Sequence, residues 1–487
     1  MNLLKDILYN AGITKIQGDI NISANFIEFD SRKIEAGKVF VAIKGAQADG
    51  HLFIDKAIAD GACAIICEDW PIDINPDVVC VQVKSTTYAL GMMAANFYDH
   101  PSKEIQLIGV TGTNGKTTSV TLLHSLFADL GQKVGLLSTV VNKIGDTNIP
   151  ATHTTPNPMA LNGLLRQMVD EKCKYCFMEV SSHAVHQNRI AGLDFDIAGF
   201  TNISHDHLDY HNTFKEYIKA KKQFFDDLGA HATSIVNTDD VNGLVMTQNS
   251  NSKVKSFGLK KMADYKVKIL ENAFSGLVLN INNQDVWTRL IGGFNAYNLI
   301  LVYAVAIELG FDPLEVLTSM SKLKSVEGRF QYVKSNKDII AIVDYAHTPD
   351  ALQNVLSTIS SVRTKNEKVI TVVGCGGDRD KTKRPKMAEI AASESDQTIL
   401  TSDNPRTENP DAIISEMKVG VPAARSAKVM AIADRKEAIK VACALANTGD
   451  IVLVAGKGHE KYQEINGERF PFDDLAIVQE TLKNLDK

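Results

Sequence analysis

The residues best suited to bind a phosphate form one glycine- and threonine-rich segment, Gly112-Thr113-Asn114-Gly115-Lys116-Thr117-Thr118. We call this segment the phosphate loop. Glycines let backbone N–H groups close around an anion, and the N-terminus of a following helix adds positive potential. In such loops the lysine reaches the terminal phosphates of a nucleotide, and the next hydroxyl can bind Mg²⁺. The segment therefore predicts binding of ATP or GTP.

The residues around the phosphate loop support this interpretation. An apolar run at 105–110 is typical of a strand, and the pattern at 119–130 is typical of a helix. The alternative, a glycine-rich turn that only happens to precede a lysine, does not account for this strand–loop–helix order. The glycine spacing also differs from that of ordinary GTPases, because Val110 occupies the position five residues before Gly115.

Further apolar runs are each followed by a polar turn with chemically active residues. Such runs between helical segments are typical of buried parallel strands, and ligands of open α/β sheets bind beyond the carboxyl ends of the strands. The runs lie at 175–180, 339–343, 369–373, 398–400 and 451–454, and the turns after them contain Ser181-Ser182-His183, Asp344-Tyr345-Ala346-His347, Gly374-Cys375-Gly376-Gly377-Asp378-Arg379, Asp403-Asn404-Pro405-Arg406 and Gly456-Lys457-Gly458-His459-Glu460. The sequence therefore predicts an α/β protein with its sites in these turns.

A histidine- and aspartate-rich stretch at 202–211 is a candidate metal site. It contains His205, His207 and His211, and zinc-dependent hydrolysis is one interpretation of it. A nucleotide loop in the same domain favours Mg²⁺ instead, with Glu179 at a neighbouring strand end as an oxygen ligand. Because histidine is an unusual Mg²⁺ ligand, we expect at most one of the three to contact the metal and the others to cap or hydrogen-bond.

The composition indicates a globular enzyme of several domains. The chain has 487 residues, 44% of them hydrophobic and 23% charged, and this length suggests about three domains. The net charge of −6 provides no basic surplus for a nucleic-acid partner. The sequence contains neither a signal-peptide pattern nor an apolar run long enough for a membrane span, so we expect a cytoplasmic protein. The seven cysteines form no repeating framework and are expected to be reduced, with Cys173 and Cys176 in a structural role.

Three blocks are expected along the chain, at 1–103, 104–332 and 333–487. In the first block, polar turns at 29–32 and 45–50 flank a short apolar run at 39–43. Taken alone, these turns are equally well explained as plain surface loops. The phosphate loop lies in the second block, and most of the polar turns listed above lie in the third.

Taken together, several motifs resemble the Mur ligases of peptidoglycan synthesis over nearly the whole chain. The motifs are Gly112 to Thr118, Glu179-Val180-Ser181-Ser182-His183, Asp206-His207-Leu208-Asp209, Gly293-Phe294-Asn295-Ala296-Tyr297-Asn298, Glu327-Gly328-Arg329 and Asp344-Tyr345-Ala346-His347. Two further motifs, Asp30-Ser31-Arg32 and Asp403-Asn404-Pro405-Arg406, resemble the ligases that add the third residue of the stem peptide, in the form that selects meso-diaminopimelate over lysine. The resemblance implies three α/β domains: an N-terminal nucleotide-sugar-binding domain, a central P-loop ATPase domain with a mostly parallel sheet, and a C-terminal Rossmann-like domain.

The reaction implied by the resemblance is ATP-driven amide formation. The D-glutamyl γ-carboxylate of UDP-MurNAc-L-Ala-D-Glu attacks the γ-phosphate, and the resulting acyl phosphate reacts with an amine of meso-diaminopimelate. Phosphoryl transfer depends on charge neutralisation more than on covalent help, so no catalytic serine or cysteine is required. The resemblance also implies Mg²⁺, and we expect a monomer that binds no nucleic acid.

The catalytic residues implied by the resemblance are Lys116, Glu179, His207 and Lys221. The implied metal ligands are Thr117, Glu179, His207 and Lys221. Lys221 would bind as an N-carboxylated lysine, because an ammonium group cannot ligate a cation. Without the resemblance, residues 219–222 read as a charged helix face.

The resemblance also assigns binding roles. Beyond the phosphate loop, ATP is expected to contact Asn295, Arg329, Asp344 and His347. The UDP-MurNAc-dipeptide is expected to contact Phe29, Ser31, Ala46, Gln47, Ala48, Thr154, Thr155, Ser181, Gln187 and Arg189. Diaminopimelate is expected to contact Arg379, Asp403, Asn404, Pro405, Arg406, Gly456 and Glu460. Taken alone, the polar members of these sets read as ordinary surface or core residues, and Asn295 as a helix cap.

Arg406 is the residue expected to select the amino acid. Diaminopimelate carries a second carboxylate that lysine lacks, and a guanidinium can bind that group through two charge-assisted hydrogen bonds. Lysine would leave Arg406 unpaired, and no negative group is expected there to receive the ammonium of lysine.

Three other functions are alternatives. An enzyme like folylpolyglutamate synthase would share the phosphate loop but would not need an N-terminal nucleotide-sugar domain of about 100 residues. A nucleotide-dependent switch would leave the polar turns of the third block unexplained. A zinc hydrolase would not need ATP.

Overall fold

The computed structural model describes residues 2–45, 48–72, 75, 77–204, 206, 208–211, 213–364 and 366–487. Three residues expected in sites, Ala46, Gln47 and His207, lie outside these ranges. Within the described ranges the chain forms three consecutive α/β units, each built on its own sheet. No helix in these ranges has the length and apolar character needed to cross a membrane.

The first unit is a small, mostly parallel sheet with helices. Its elements are β1 (Asn2–Leu3), α1 (Leu4–Ile7), β2 (Ile13–Gln17), β3 (Ser23–Ala24), β4 (Phe26–Glu28), β5 (Lys38–Val41), α2 (Ile54–Ala59), β6 (Ala64–Cys67), β7 (Val79–Val83) and α3 (Thr86–Phe97). The strand order is β2-β7-β6-β5-β4, with β2 antiparallel to β7 and the others parallel. Ser85 is the N-cap of α3, and its hydroxyl accepts a hydrogen bond from the N–H of Tyr88.

The second unit is a long sheet whose parallel centre is flanked by antiparallel strands. Its elements are β8 (Gln106–Thr111), α4 (Lys116–Asp129), β9 (Val134–Leu137), β10 (Val141–Ile144), β11 (Thr147–Pro150), α5 (Pro158–Asp170), β12 (Tyr175–Glu179), α6 (Ser182–His186), β13 (Ile197–Phe200), α7 (Leu208–His211), α8 (Phe214–Asp226), β14 (Thr233–Asn237), α9 (Gly243–Met246), β15 (Lys253–Gly258), β16 (Tyr265–Ala273), β17 (Gly276–Ile281), β18 (Gln284–Thr288), α10 (Gly293–Glu308) and α11 (Pro313–Met320). The strand order is β11-β10-β9-β12-β8-β13-β14-β15-β16-β17-β18. Strand β8 therefore lies in the parallel part, between β12 and β13.

Helices cover both faces of this second sheet. Ile108 and Val110 of β8 belong to the hydrophobic cluster formed with α4 and α10, whereas Leu107 belongs to the cluster formed with α5 and α8. Because successive strand residues point to opposite faces, an uninterrupted apolar strand is buried on both sides. The carboxyl end of β8 is consequently the part of the strand that is open to a ligand.

The third unit is a parallel sheet with one antiparallel edge strand. Its elements are β19 (Gln331–Lys334), β20 (Ile340–Asp344), α12 (Pro349–Val362), β21 (Val369–Cys375), α13 (Lys383–Glu394), β22 (Gln397–Ser402), α14 (Pro410–Lys418), β23 (Val429–Ala431), α15 (Arg435–Leu445), β24 (Ile451–Ala455), β25 (Tyr462–Ile465), β26 (Glu468–Pro471) and α16 (Asp474–Asn484). The order is β19-β20-β24-β21-β22-β23, with β19 antiparallel to β20. Helices α12 to α14 cover one face and α15 and α16 the other, while β25 and β26 form a separate hairpin.

The strands expected from the apolar runs are confirmed as β8, β12, β20, β21, β22 and β24. The helix expected at 119–130 begins earlier, at Lys116, because Gly115 is its N-cap and the last phosphate-loop residues are already helical. Each of the seven cysteines has a free thiol. Cys173 and Cys176 are buried in the sheet region, where they pack as small apolar residues.

Candidate active site

The phosphate loop connects β8 to α4 and depends on its two glycines. Gly112 has φ +149° and Gly115 has φ +88°, a region that favours glycine. A Cβ atom on Gly112 would lie 1.9 Å from Thr201 Oγ1, and one on Gly115 would lie 2.5 Å from Asn298 Oδ1. Both positions therefore exclude any larger residue without a shift of the neighbouring chain.

The residues after β13 hold the phosphate loop in place. Thr201 Oγ1 donates a hydrogen bond to the carbonyl of Asn114 at 2.6 Å, and the N–H of Thr113 donates to the carbonyl of Asn202 at 2.8 Å. The N–H of Asn114 also donates to Asn202 Oδ1 at 3.0 Å. These three bonds fix the loop backbone before any ligand binds.

Lys116 folds back over the loop that carries it. Its Nζ donates to the carbonyls of Gly112 and Thr113 at 2.8 and 2.9 Å. Burial lowers the pKa of Lys116, and the nearby Glu179 carboxylate opposes this effect. On the next residue, Thr117 Oγ1 accepts a hydrogen bond from Arg329 Nη2 at 3.1 Å. Arg329 thus brings a second cation to the phosphate loop.

Glu179 ends β12 with one oxygen engaged and one free. Its Oε1 accepts a hydrogen bond from the N–H of Thr139 at 2.7 Å. Its Oε2 is buried and has no hydrogen-bond partner among the described residues. A buried carboxylate oxygen without a donor is costly, so this atom is suited to a cation that the protein itself does not supply.

Lys221, on α8, is buried beside the phosphate loop. Its Nζ donates to the carbonyl of Gly112 at 2.9 Å and lies 4.7 Å from the centre of the Tyr217 ring. Burial first, and the Lys116 charge second, lower the pKa of Lys221 well below its usual value. Lys221 and Lys116 therefore lie together at the phosphate loop. The hydroxyl groups of Tyr217 on α8 and Thr113 on the loop are 3.1 Å apart, although 104 residues separate them in the sequence.

The histidine-rich stretch contributes a hydrogen-bonding residue. His211 is buried, and its Nε2 lies 2.9 Å from Ser182 Oγ. Burial, with a smaller effect of His183 and His186, lowers the pKa of His211 to about 4. Among the described residues no group of three His, Cys, Asp or Glu side chains is arranged to hold a metal ion. His207, the histidine assigned to the metal, lies outside the described residues.

Residues assigned to the sugar and dipeptide gather beside Glu179. Thr155 Oγ1 donates to the carbonyl of Glu179 at 2.8 Å, and Arg189 Nη1 donates to the carbonyl of Thr155 at 2.8 Å. Gln187 Oε1 accepts two bonds from the Arg189 guanidinium, at 3.0 and 2.7 Å, and so orients it. Thr154 and Ser181 lie in the same group.

The residues assigned to the uridine end lie in the first unit. Phe29 follows β4, and Ser31 begins a short turn in which Asp30 accepts hydrogen bonds from the N–H and the side chain of Arg32. These bonds to Arg32 lower the pKa of Asp30 to about 2. The carbonyl of Ala48 accepts a hydrogen bond from the N–H of Gly45. None of these described residues lines the central cavity defined below.

Asn295 is connected to the phosphate loop through Asn298. Gly292, not Asn295, is the N-cap of α10, so the helix-cap interpretation is wrong. Asn295 Nδ2 donates to the carbonyl of Ile291 at 2.8 Å, and its Oδ1 accepts from Asn298 Nδ2 at 3.0 Å. Asn298, rather than Asn295, then faces Gly115 and the cavity.

Three residues assigned to ATP lie at or near the carboxyl end of β20, namely Asp344, Arg329 and His347. Asp344 Oδ2 accepts a hydrogen bond from the N–H of Phe330 at 2.6 Å, and burial raises the pKa of Asp344 to about 6. Arg329 lies 4.6 Å from the centre of the Tyr345 ring. His347 Nδ1 lies 2.9 Å from the carbonyl of Tyr345, and burial lowers the pKa of His347.

The residues assigned to diaminopimelate form a connected polar group. Asn404 Nδ2 donates to Glu460 Oε2 at 2.8 Å, and Lys457 Nζ donates to Asn404 Oδ1 at 2.9 Å and to Glu460 Oε2 at 3.1 Å. Asp403 Oδ1 accepts the N–H of Asn404, and Gly456 approaches Asp403 so closely that a Cβ would lie 2.6 Å from its Oδ2. The carbonyl of Pro405 accepts the N–H of Glu408.

Arg406 lies beside a carboxylate. Its Nη1 donates to the carbonyl of Gly377 at 2.7 Å, and its Nε is 3.8 Å from Glu464 Oε2. The expectation that no negative group stands at this position is therefore wrong. The hairpin β25–β26 causes the difference, because it brings Glu464 next to Arg406 through main-chain hydrogen bonds that the local sequence around Arg406 does not indicate.

One cavity of about 1640 Å³ joins most of these groups. It reaches from the phosphate loop, past Glu179, to the turns after β20 and the arginines near the third sheet. Its lining includes Thr113, Asn114, Gly115, Lys116, Thr117, Thr118, Thr154, Thr155, Glu179, Ser181, Arg189, Lys221, Arg329, Asp344, His347, Arg379, Arg406 and Glu460. Asp403, Asn404, Pro405 and Gly456 lie behind this surface and support it.

Comparisons with known proteins agree over the length of the chain. Family models match in three stretches: the Mur ligase middle domain at residues 110–306, the Mur ligase glutamate ligase domain at 328–458 and the Mur ligase family catalytic domain at 23–98. A protein of Cytophaga hutchinsonii named UDP-N-acetylmuramoyl-L-alanyl-D-glutamate–2,6-diaminopimelate ligase is 53% identical over 485 residues, covering 99% of this chain and 100% of the relative. The chain belongs to the Mur ligase family.

Other relatives of this Mur ligase carry the same name. The protein of Bacteroides thetaiotaomicron is 51% identical over 478 residues, covering 98% of this chain and 99% of the relative. A solved structure of a ligase with this name has 32% identity and a TM-score of 0.70, covering 100% of this chain and 99% of its own. Mur ligases are ATP-dependent ligases that form carbon–nitrogen bonds. The predicted family, the three-domain α/β fold class and the enzyme class are thereby confirmed.

The site of this Mur ligase also contains residues that the motifs did not single out. Thr139 positions Glu179, Thr201 and Asn298 shape the phosphate loop, and Glu464 stands beside Arg406. The sequence held only a weak signal for these residues. Thr201 directly follows an apolar strand, and Asn298 lies in one of the family motifs but had no assigned role. Glu464 gave no signal, because it lies in a hairpin away from the motif turns.

Proposed function

We propose that this Mur ligase joins meso-diaminopimelate to UDP-MurNAc-L-Ala-D-Glu with hydrolysis of ATP, as a step in peptidoglycan precursor synthesis. The observation that carries the proposal is the single cavity, which brings a phosphate loop, a buried carboxylate and two arginines of the third unit into one space. A ligase of this kind must hold a nucleoside triphosphate, an acid and an amine together. The names of the relatives at 53% and 51% identity agree with this choice of substrates.

The proposed reaction has two steps. An oxygen of the D-glutamyl γ-carboxylate bonds to the γ-phosphorus while the bond to ADP breaks, which gives an acyl phosphate. The free amine of diaminopimelate then bonds to the acyl carbon, and phosphate leaves with the electron pair of the broken C–O bond. Lys116, Arg329 and the loop N–H groups lower the barrier by neutralising charge on the phosphoryl oxygens. The proton of the amine passes to solvent.

We assign Mg²⁺ to Thr117, Glu179, His207 and Lys221. The free, buried Oε2 of Glu179 and the hydroxyl of Thr117 are hard oxygen donors of the kind that Mg²⁺ prefers, so the residues present fit the ion. When bound, Mg²⁺ supplies positive charge to the phosphate oxygens. His207 enters this set by family resemblance.

Lys221 is assigned as a carbamate. Only the uncharged amine of a lysine can add to CO₂, and this addition forms an N–C bond and releases one proton. Burial beside Lys116 favours the uncharged amine, which supports the assignment. The modified side chain would carry a negative charge next to Gly112 and Lys116 in place of the neutral amine.

The remaining assignments follow the family resemblance. Thr154, Thr155, Ser181, Gln187 and Arg189 are proposed to bind the sugar and dipeptide, and Phe29, Ser31, Ala46, Gln47 and Ala48 the uridine end. Asn295, Asp344 and His347 are proposed for the ATP end, and Arg379, Asp403, Asn404, Pro405, Arg406, Gly456 and Glu460 for diaminopimelate. Domain boundaries at 1–103, 104–332 and 333–487 are proposed with them. A monomer working in the cytoplasm, where ATP and nucleotide sugars are found, completes the proposal, and size-exclusion chromatography tests the monomer.

Phosphate release from ATP tests the whole assignment. We expect release only when Mg²⁺, UDP-MurNAc-dipeptide and diaminopimelate are all present. Lys116→Ala should abolish this release without unfolding the protein, and Lys221→Ala should lose it with partial rescue by acetate. Release that needs neither acceptor, or that needs folate and glutamate, would contradict the ligase assignment. Full activity of Lys221→Ala would contradict the proposal that Lys221 is carbamylated.

A further inference from the structure

We propose that His51 is a positioning residue for the nucleotide-sugar substrate, because its neutral imidazole ties the turn before it to the end of β6. We call residues 44–49 the uridine turn, since Ala46, Gln47 and Ala48, assigned to the uridine end, belong to it. The inference rests on the proposed function, because it concerns the binding of that substrate. The side chain of His51 is 11% exposed and lies against the first sheet.

The uridine turn lies at the carboxyl ends of the parallel strands of the first sheet. It follows β5, which lies between β4 and β6. Phe29 and Ser31, the other residues assigned to the uridine end, follow β4. Ligands of parallel α/β sheets bind at this edge. A link between the uridine turn and the end of β6 therefore helps to set the shape of the surface on which uridine is expected.

Backbone contacts bring the two ends of the uridine turn together. Lys44 and Asp49 pair as an isolated antiparallel bridge, and the N–H of Gly50 donates to the carbonyl of Ile43 at 2.8 Å. A Cβ atom on Gly50 would lie 2.7 Å from the nitrogen of Ile43, so this close approach requires glycine. His51 is the next residue, and it lies where the closed turn meets the rest of the sheet.

The His51 ring joins the uridine turn to β6 through both of its nitrogens. Nδ1 lies 2.7 Å from Asp49 Oδ1, and Nε2 accepts the N–H of Glu68 at 2.9 Å and that of Asp69 at 3.2 Å. Hydrogen bonds from the N–H and the ring of His51 lower the pKa of Asp49, so its carboxylate is ionised at neutral pH and can only accept. Nδ1 must therefore carry the proton and Nε2 must lack one, which defines a single neutral tautomer.

The residues on the far side of the ring are anchored in the rest of the first unit. Glu68 Oε1 accepts hydrogen bonds from the N–H and the hydroxyl of Thr86, at the start of α3, at 2.8 and 2.9 Å. The carbonyl of Glu68 accepts a hydrogen bond from Gln82 Nε2, on β7, at 2.8 Å. Lys44 Nζ lies 2.7 Å from Asp69 Oδ2, but such a surface ion pair contributes little. The imidazole is thus the main side-chain link between the uridine turn and this framework.

Substitutions at the two ends of the Nδ1–H bond test this role. His51→Gln keeps an acceptor for the N–H groups after β6 but loses the donor to Asp49, and Asp49→Ala removes the same bond from the other side. Asp49→Asn keeps an oxygen that accepts from Nδ1–H. Leu52→Ala, at a neighbouring side chain that is 79% exposed, is the matched control. Phosphate release with each substrate varied in turn gives the KM values, and circular dichroism shows that each variant is folded.

We expect His51→Gln and Asp49→Ala each to raise the KM for UDP-MurNAc-dipeptide on the order of tenfold, because the turn must then be ordered on binding. The kcat and the KM for ATP should stay unchanged, since the phosphate loop lies in the second unit. The double variant should show the same rise as each single variant, because both substitutions break one bond. Asp49→Asn and Leu52→Ala should behave as the wild type, because a neutral imidazole needs an acceptor but no negative charge.

An unchanged KM for UDP-MurNAc-dipeptide in His51→Gln would overturn the inference, and this variant alone decides it if Asp49→Ala does not fold. A double variant whose KM rises by about a hundredfold would also overturn it, since the two side chains would then act independently. So would an Asp49→Asn variant as impaired as Asp49→Ala, since the link would then depend on charge. If phosphate release by the wild-type protein does not require UDP-MurNAc-dipeptide, the proposed function itself fails, which is a different result.

Discussion

Single residues in this site are defined by their neighbours as much as by their own chemistry. Arg406 was expected to stand as an isolated cation, yet Glu464 lies 3.8 Å from its Nε. Asp344 is a carboxyl group in a turn, yet its burial raises its pKa to about 6. In both cases the surroundings of the residue are set by groups that are distant along the chain. Substitutions at these two positions therefore have consequences that differ from those of an isolated charge.

Arg406→Ala should change the preference between lysine and diaminopimelate as well as the activity with diaminopimelate. Diaminopimelate loses the partner of its far carboxylate, so its KM should rise on the order of a hundredfold. Lysine has no such carboxylate to lose, and Glu464 freed from Arg406 can accept the lysine ammonium. The ratio of kcat/KM for lysine to that for diaminopimelate should therefore rise, as measured by phosphate release with each amino acid. A fall in that ratio would contradict the assignment of Arg406 to the far carboxylate of diaminopimelate.

Asp344 should make stability depend on pH. Below its ordinary pKa of 3.8 the carboxyl is neutral in both the folded and the unfolded chain, and it has no effect. Between 3.8 and about 6 the unfolded chain ionises first, so stability falls as the pH rises, and above about 6 the loss is complete. A rise in the pKa from 3.8 to about 6 corresponds to a free-energy difference of about 3 kcal/mol.

Asp344→Asn cannot ionise and should lack this loss. Urea unfolding of both proteins should show the variant gaining on the wild type by up to about 3 kcal/mol between acidic and neutral pH. The substitution also alters the hydrogen bond to the N–H of Phe330. This effect is the same at acidic and at neutral pH, so it cancels when the stability difference between variant and wild type is compared at the two pH values. An equal difference at both pH values would mean that the pKa of Asp344 is not raised.

At the scale of elements, the ends of parallel strands carry the site and buried ion pairs tie these ends together. Arg435, at the start of α15, donates to Asp474 at the start of α16 through two hydrogen bonds, at 2.8 and 2.7 Å. Both side chains are fully buried. Arg435 also donates to the carbonyl of Ala455 at 3.0 Å, just before Gly456. The pair therefore supports the turn after β24 from behind.

Asp474→Asn should destabilise the protein strongly. It leaves the buried Arg435 cation without its counter-charge, a change that costs about 3 to 5 kcal/mol. Replacing both residues, as Arg435→Met with Asp474→Leu, removes the unpaired charge and should recover most of the loss. Urea denaturation of the three proteins measures both effects. A double variant no more stable than Asp474→Asn would show that the pair contributes more than charge balance.

In the whole molecule, residues of the second and third units line the cavity, and the first unit packs against the second. The first unit meets the second through α3. A Cβ atom on Gly91 of α3 would lie 2.7 Å from the Ala191 side chain and 2.8 Å from the carbonyl of Asn188. Asn188 Nδ2 also donates to Thr87 Oγ1 at 3.0 Å. This close approach fixes the proposed uridine-binding unit against the phosphate-binding unit.

Gly91→Ala should weaken the binding of UDP-MurNAc-dipeptide without changing the binding of ATP. The added methyl group must push α3 away from residues 188–191, at a cost of about 1 to 3 kcal/mol. We expect the KM for UDP-MurNAc-dipeptide to rise several-fold while the KM for ATP stays unchanged, because the phosphate loop lies entirely in the second unit. Tyr88→Ala, at an exposed position of the same helix, is the control and should leave both values unchanged. Equal changes in both KM values would contradict this division.

Features that depend on residues close together in the chain could be predicted from the sequence. Uninterrupted apolar runs predicted the parallel strands, and Gly112 and Gly115 predicted a phosphate-binding loop, because burial and backbone conformation depend largely on the local sequence. The family motifs identified the ligase, since each motif is a short stretch with a specific chemistry.

Which side chains come into contact depends on the assembled fold. Thr201 and Asn114, Asn298 and Gly115, and Arg406 and Glu464 are contacts between separate elements, and their distances follow from sheet order and hairpin placement. Local sequence does not specify such pairings, because a side chain on one strand end can face several neighbours until the sheet is assembled. The charge of Asp344 follows the same rule: the carboxyl group was visible in the sequence, but its raised pKa results from burial by the folded chain.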